Sequence, residues 1–144
     1  VGVLIGEATT KKDGLAPKGL IPYEYNKNNN DIAKLFFETT SVSHIHASIL
    51  TICSVSGESL GLYLIVNKWN STIVSAKVIC GSSDTISTLK IRLYYAVESN
   101  GNVSLYIQSG AYLRIYVSPQ NTLFNPSFSS VSTIPSETIE VTVS

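Results

Sequence analysis

The sequence predicts an all-β fold, an antiparallel β-sandwich of about seven to eight strands. Three observations predict it. From residue 32 onward, runs rich in Val, Ile, Leu, Thr and Tyr recur at short, regular spacing. Turn residues separate them: Gly57-Glu58-Ser59, Asn67-Lys68-Trp69-Asn70-Ser71, Gly81-Ser82-Ser83-Asp84 and Ser99-Asn100-Gly101. No segment sustains a convincing helical period.

The elements follow in chain order. Residues 1–31 carry Gly, Pro, Lys and the run Asn28-Asn29-Asn30 without a sustained period, so they read as an irregular shaft or linker segment ahead of a head domain over 32–144. Strands are expected near 34–40, 45–55, 60–67, 72–80, 86–97, 102–108 and 112–118. Residues 31–37 also permit a short helical turn. A Pro/Asn/Ser stretch begins at residue 119, and the sequence closes on ETIEVTV, which alternates as a strand does.

One hairpin is specified in detail. Asn100-Gly101 fits a two-residue turn, but that register would set Tyr95 against Tyr106 and Leu93 against Gln108, mixing apolar and polar faces. A three-residue loop, Ser99-Asn100-Gly101, pairs Val97 with Val103, Tyr95 with Leu105 and Leu93 with Ile107. Because register follows the buried face, the expectation is a type I turn with Gly101 left-handed in a G1 bulge. The opposite face then carries Lys90, Arg92 and Tyr94 on one strand and Tyr106 and Gln108 on the next. A turn at Ser109-Gly110-Ala111 would add Tyr112, Arg114 and Tyr116 as a third strand. Such a Tyr-and-cation face suits a subunit interface or a glycan surface, since Tyr and Arg are enriched where proteins bind. A solvated face is the plainer alternative, because Tyr favours strands in any case.

Composition narrows the partners. Only 14% of the 144 residues are charged and 44% are hydrophobic, against about a quarter charged in an average protein. Either Ser, Thr and Asn cover the surface or a partner buries part of it. The net charge is zero, which argues against a nucleic-acid partner. No apolar run is longer than Leu62–Val66, far short of the roughly 20 residues of a membrane span, and no membrane insertion is expected. The sequence opens on Val1, as a processed product or a piece of a longer protein would. Cys53 and Cys80 read as two buried free thiols, with a single disulfide as the alternative.

Few residues offer chemistry. No GxSxG, HExxH, phosphate-binding loop or GxGxxG is present, and the ten carboxylates are scattered. No catalytic residue, enzymatic activity or cofactor is therefore expected. His44-Ile45-His46 puts two imidazoles on one strand face, enough for a transition metal only if several copies of the protein contribute; an exposed polar pair at a strand start is the favoured reading. Trp69, flanked by Asn67, Lys68 and Asn70, can stack on a sugar ring while the amides meet its hydroxyls. Equally, it can fold under its own hairpin.

The segment ATTKKDGLAPKG, residues 8–19, resembles a recurring element of tailed-bacteriophage tail-fibre proteins, found in the shaft or just before a receptor-binding head. The blocks LGLYLIVNKWNSTIVSAKVI and LKIRLYYAVESNGNVSLYIQ are similar to the C-terminal heads of such fibres. The resemblance implies a homotrimeric, non-enzymatic head at the tip of a virion fibre. It would be assembled in the host cytoplasm and would dock on a bacterial surface glycan or surface protein. Some of these fibres hold iron with H-x-H pairs contributed by all three subunits, and His44 and His46 match that spacing. A structural or baseplate module without receptor contact is the competing reading, and a glycan-cleaving enzyme is the third.

Overall fold

The computed structural model describes residues 23–38, 45–99, 101–119 and 125–144. The segment TTKKDGLAPKG, His44 and Asn100 lie outside the described residues. The elements are β1 (Tyr23–Lys27), β2 (Ile32–Glu38), β3 (Ile45–Ser54), β4 (Ser59–Asn67), β5 (Ile73–Cys80), α1 (Ser83–Leu89), β6 (Arg92–Val97), β7 (Val103–Gln108), β8 (Leu113–Pro119), β9 (Asn125–Val131), β10 (Ile139–Glu140) and β11 (Thr142–Val143). They form two sheets packed face to face, a sandwich as expected. The first has the order β1-β8-β3-β4-β5-β11 and the second β10-β6-β7-β2-β9. Among the described residues every pairing is antiparallel except β11 on β5. No helix among them is long and apolar enough to cross a membrane.

The strands form because their apolar residues alternate. In β3, His46, Ser48, Leu50 and Ile52 point inward, and in β4 Leu60, Leu62, Leu64 and Val66 do. Leu35 and Phe37 of β2, Leu105 and Ile107 of β7, and Leu113, Ile115 and Val117 of β8 complete a common core. Each fully buried aliphatic side chain contributes about 1.5–3 kcal/mol relative to exposure.

The hairpin adopts the three-residue register. Val97 pairs with Val103, Tyr95 with Leu105 and Leu93 with Ile107. Gly101 has φ +88° and donates to the Glu98 carbonyl at 2.9 Å, while Glu98 N–H donates to Asn102 O at 2.7 Å. Val97, expected on the buried face, is exposed where the hairpin leaves the core.

Other expectations are corrected. Residues 23–27, assigned to the irregular lead, form β1 and pair with β8. Residues 31–37 are strand, not a helical turn. The start of the expected 86–97 strand is helix α1. Ser82 caps it by accepting from Thr85 N–H at 3.4 Å, and Ile86 and Leu89, three apart, turn one face to the core. Residues 125–131, read as a Pro/Asn/Ser stretch, form the edge strand β9. The tail does not run as one strand. It pairs with β6 through β10, buries Val141, and then lies parallel to β5 as β11. Cys53 and Cys80 are free thiols but are not buried. They stand opposite Ser59 and Gly61 of β4, positions that point away from the core.

Between β7 and β8 the backbone leaves one sheet for the other, and a buried lysine holds that crossing. Lys27 is fully buried, and its Nζ donates to the carbonyls of Asn28 at 2.8 Å, Ser109 at 2.8 Å and Ala111 at 3.1 Å. Replacing Lys27 with Met keeps the apolar stem and strips these carbonyls of their donor. Lys27→Met is expected to cost about 3 kcal/mol, read as a lower denaturation midpoint at an unchanged slope.

At the β3–β4 turn, the Glu58 carboxylate accepts from the Ser54 hydroxyl and from Ser56 Oγ at 2.7 Å. These bonds, Ser54 first, hold its pKa below the ordinary 4.5. The folded state is therefore favoured by this group above about pH 4.5, and that contribution is lost as pH falls through the lower folded value. Glu58→Gln should flatten this part of the acid limb in urea midpoints measured against pH; an unchanged limb assigns it to other carboxylates.

Candidate functional site

The Tyr-and-cation face expected on one sheet is divided between two. On β6 and β7, Arg92 stands opposite Gln108 and Tyr94 opposite Tyr106. The third strand beside them is β2, which sets Lys34 against Tyr106. Because the backbone crosses over at residues 109–112, Arg114 and Tyr116 belong to the outer face of the other sheet, and Tyr112 lies at its margin, lining the same groove. Lys90 is not on a strand; it caps α1 in the left-handed conformation.

The cations of the β6–β7 face are met by acids that the sequence pattern did not single out. Arg92 donates through Nε and Nη2 to Glu140, each at 3.2 Å, and lies 5.5 Å from the Tyr94 ring centre. Its pKa is raised, first by Glu140 and then by Tyr94. Lys34 sits 5.9 Å from the Tyr106 ring centre and 3.9 Å from Glu98, which accepts from Ser104 at 2.6 Å. Tyr106 is only 3% exposed. The middle of this face is a satisfied network. Its outer corner is open: Lys90, Arg92 and Gln108 line a cleft of about 390 Å³ against the β1–β2 turn.

On the other sheet, Arg114 and Tyr116 of β8 share one face, and Tyr112 stands just before that strand. With Cys53, Ser54 and Val55 they line an open groove of about 380 Å³. Arg114 is held in place by its Nε, which donates to Asn26 at 3.0 Å and lies 3.5 Å from Glu24. Its pKa is raised, chiefly by a hydrogen bond and attraction to Tyr116, with Glu24 adding to it. Two phenol rings flank a fixed guanidinium, an arrangement that can stack on the C–H face of a sugar and donate to its hydroxyls.

Trp69 is exposed, at 68%, in the β4–β5 turn. It is not folded under its own hairpin. Its backbone N–H donates to Asn67 Oδ1 at 3.0 Å, an Asx-type bond that shapes the turn and occupies that amide oxygen. Asn70 is exposed beside it. Lys68 Nζ lies 3.6 Å from where a β-carbon on Gly101 would stand, so the β4–β5 and β6–β7 turns adjoin. Both grooves are at the opposite end of the sandwich from these turns, as the strand directions require.

His46 is fully buried among the inward residues of β3 and is not an exposed polar residue at a strand start. The register that buries Leu50 and Ile52 carries His46 with it. Among the described residues, no group of three or more His, Cys, Asp or Glu comes together to hold a metal. Comparison of the sequence and fold with family models, with curated proteins and with solved structures gives no match.

Proposed function

We propose that this protein is a non-enzymatic receptor-binding head of the tail-fibre type, assembled as a homotrimer, that attaches to a bacterial surface glycan. The observation that carries the reading is the groove of Tyr112, Arg114 and Tyr116, an aromatic and guanidinium surface set on and just before β8, an interior strand of the first sheet.

The competing reading is an assembly module that contacts only other proteins. Ile45 and Ile73 favour it. They flank Asn67 on the outer face of the first sheet, and both are more than half exposed.

A panel of bacterial surface glycans tests the proposal. Tyr116→Ala and Arg114→Ala should each weaken glycan binding about tenfold, with size in solution unchanged. Trp69 is the only tryptophan, so its fluorescence marks the other end of the molecule. Ligand in the groove should leave its emission unchanged, and Trp69→Ala should still bind. Loss of binding in Trp69→Ala moves the site to the β4–β5 turn. A trimer that binds no glycan and no host cell supports the assembly module, and a monomer by sedimentation overturns the trimeric fibre head.

A further inference from the structure

Lys90 is the one non-glycine residue among the described residues with a positive φ, at φ +52° and ψ +44°. It closes α1 with its own N–H on the Ser87 carbonyl at 3.3 Å, and Ile91 N–H bonds the Ile86 carbonyl at 3.0 Å. This is the position at a helix end where glycine sits without strain. A lysine there gains a long cationic group at the cost of backbone strain, and strain of this kind collects at functional sites.

That side chain lines the cleft of about 390 Å³ at the corner of the second sheet. Arg92 and Gln108 line it too, as do Asn29, Asn30 and Asp31 of the β1–β2 turn. The charge of Arg92 is met by Glu140. No carboxylate among the described residues pairs with the Lys90 ammonium. Ser109, which also lines the cleft, is fixed in advance: its carbonyl accepts from buried Lys27 at 2.8 Å, and its Oγ donates to the Leu89 carbonyl. Amides and a carboxylate that donate and accept around one unmet cation match a polyhydroxylated ligand that carries an anionic group.

We propose that this cleft binds an anionic saccharide, with its carboxylate or phosphate on Lys90 and its hydroxyls on Asn29, Asn30, Asp31 and Gln108. The choice of a saccharide rests on the binding-head reading, whereas the demand for an anion rests on the cleft alone.

The test is a titration of the ¹⁵N-labelled protein with digalacturonate, glucose 6-phosphate and neutral lactose, followed by amide chemical shifts. At least one anionic probe should shift the amides of Asn30, Lys90 and Gly110; which of the two does so distinguishes a uronate from a sugar phosphate. Lactose should bind at least about tenfold more weakly. Lys90→Gly should raise the melting temperature by relieving the strain and weaken anion binding about tenfold. A residue with only a structural role cannot give that pair of opposite effects. Binding to Lys90→Gly within about twofold of the parent, equal binding of lactose, or no shift with any probe overturns the proposal. Tyr116→Ala should bind the anionic probes as the parent does. Failure at Lys90 with glycan-panel binding intact leaves the binding head standing and removes only this cleft.

Discussion

A buried ammonium holds this sandwich at the place where its two sheets exchange the backbone. Between β7 and β8 the polypeptide leaves one sheet and has not yet joined the other, so its carbonyls lack a ladder partner. An unpaired carbonyl in a dry interior costs free energy comparable to a lost hydrogen bond. Lys27 supplies three donors from one atom, to Asn28, Ser109 and Ala111. Burial lowers its pKa and nearby Asp31 opposes that shift. Ser109 then passes the constraint on through its hydroxyl, which bonds Leu89 at the end of α1. Strand β1, the crossing and the helix are tied to one point.

That crossing decides what the surface can do. It sends Tyr112, Arg114 and Tyr116 to the first sheet and leaves Arg92, Tyr94 and Tyr106 on the second. A pattern that reads as one surface in the sequence becomes two, with different chemistry. The β6–β7 surface is closed electrostatically, with Arg92 on Glu140 and Lys34 near Glu98. The β8 groove keeps its aromatic rings beside open space. Exposed ion pairs of this kind add little stability; here they place charges, and Arg114 is oriented between Glu24 and Asn26 before any ligand arrives.

Local signals were legible where one turn and one buried face fixed the answer. The Ser99-Asn100-Gly101 loop is such a case, because a shift of one residue would have turned the polar positions inward. Helix α1 was not legible: its seven residues, SDTISTL, are rich in Thr and Ser, and only the Ser82 cap and the spacing of Ile86 and Leu89 betray it. Strand β9 was hidden by Pro126 and its serines, which an edge strand tolerates because one side needs no ladder donor. The partner of the β7 strand was beyond local reading altogether. Choosing β2 over β8 depends on the crossing, and nothing in the pattern around Tyr112 announces that the next strand changes sheets. The acids Glu98 and Glu140 that quiet the cations are distant in sequence or placed by the tail, so the charge balance of that face emerges only in three dimensions.

The split tail has a consequence for how anything can join this molecule. β10 covers the free side of β6 and β11 that of β5, two residues each. The other margins are β1, five residues long, and β9, which carries Pro126, with Tyr25 and Phe128 stacked 5.3 Å apart where they meet. All four margins are therefore short, interrupted or capped, and offer poor templates for an added strand. Growth by backbone pairing, the route to fibrils and to strand exchange, is discouraged at these margins of the described residues. That leaves side chains on the broad faces and at the ends as the better ground for a partner, where recognition can be selective.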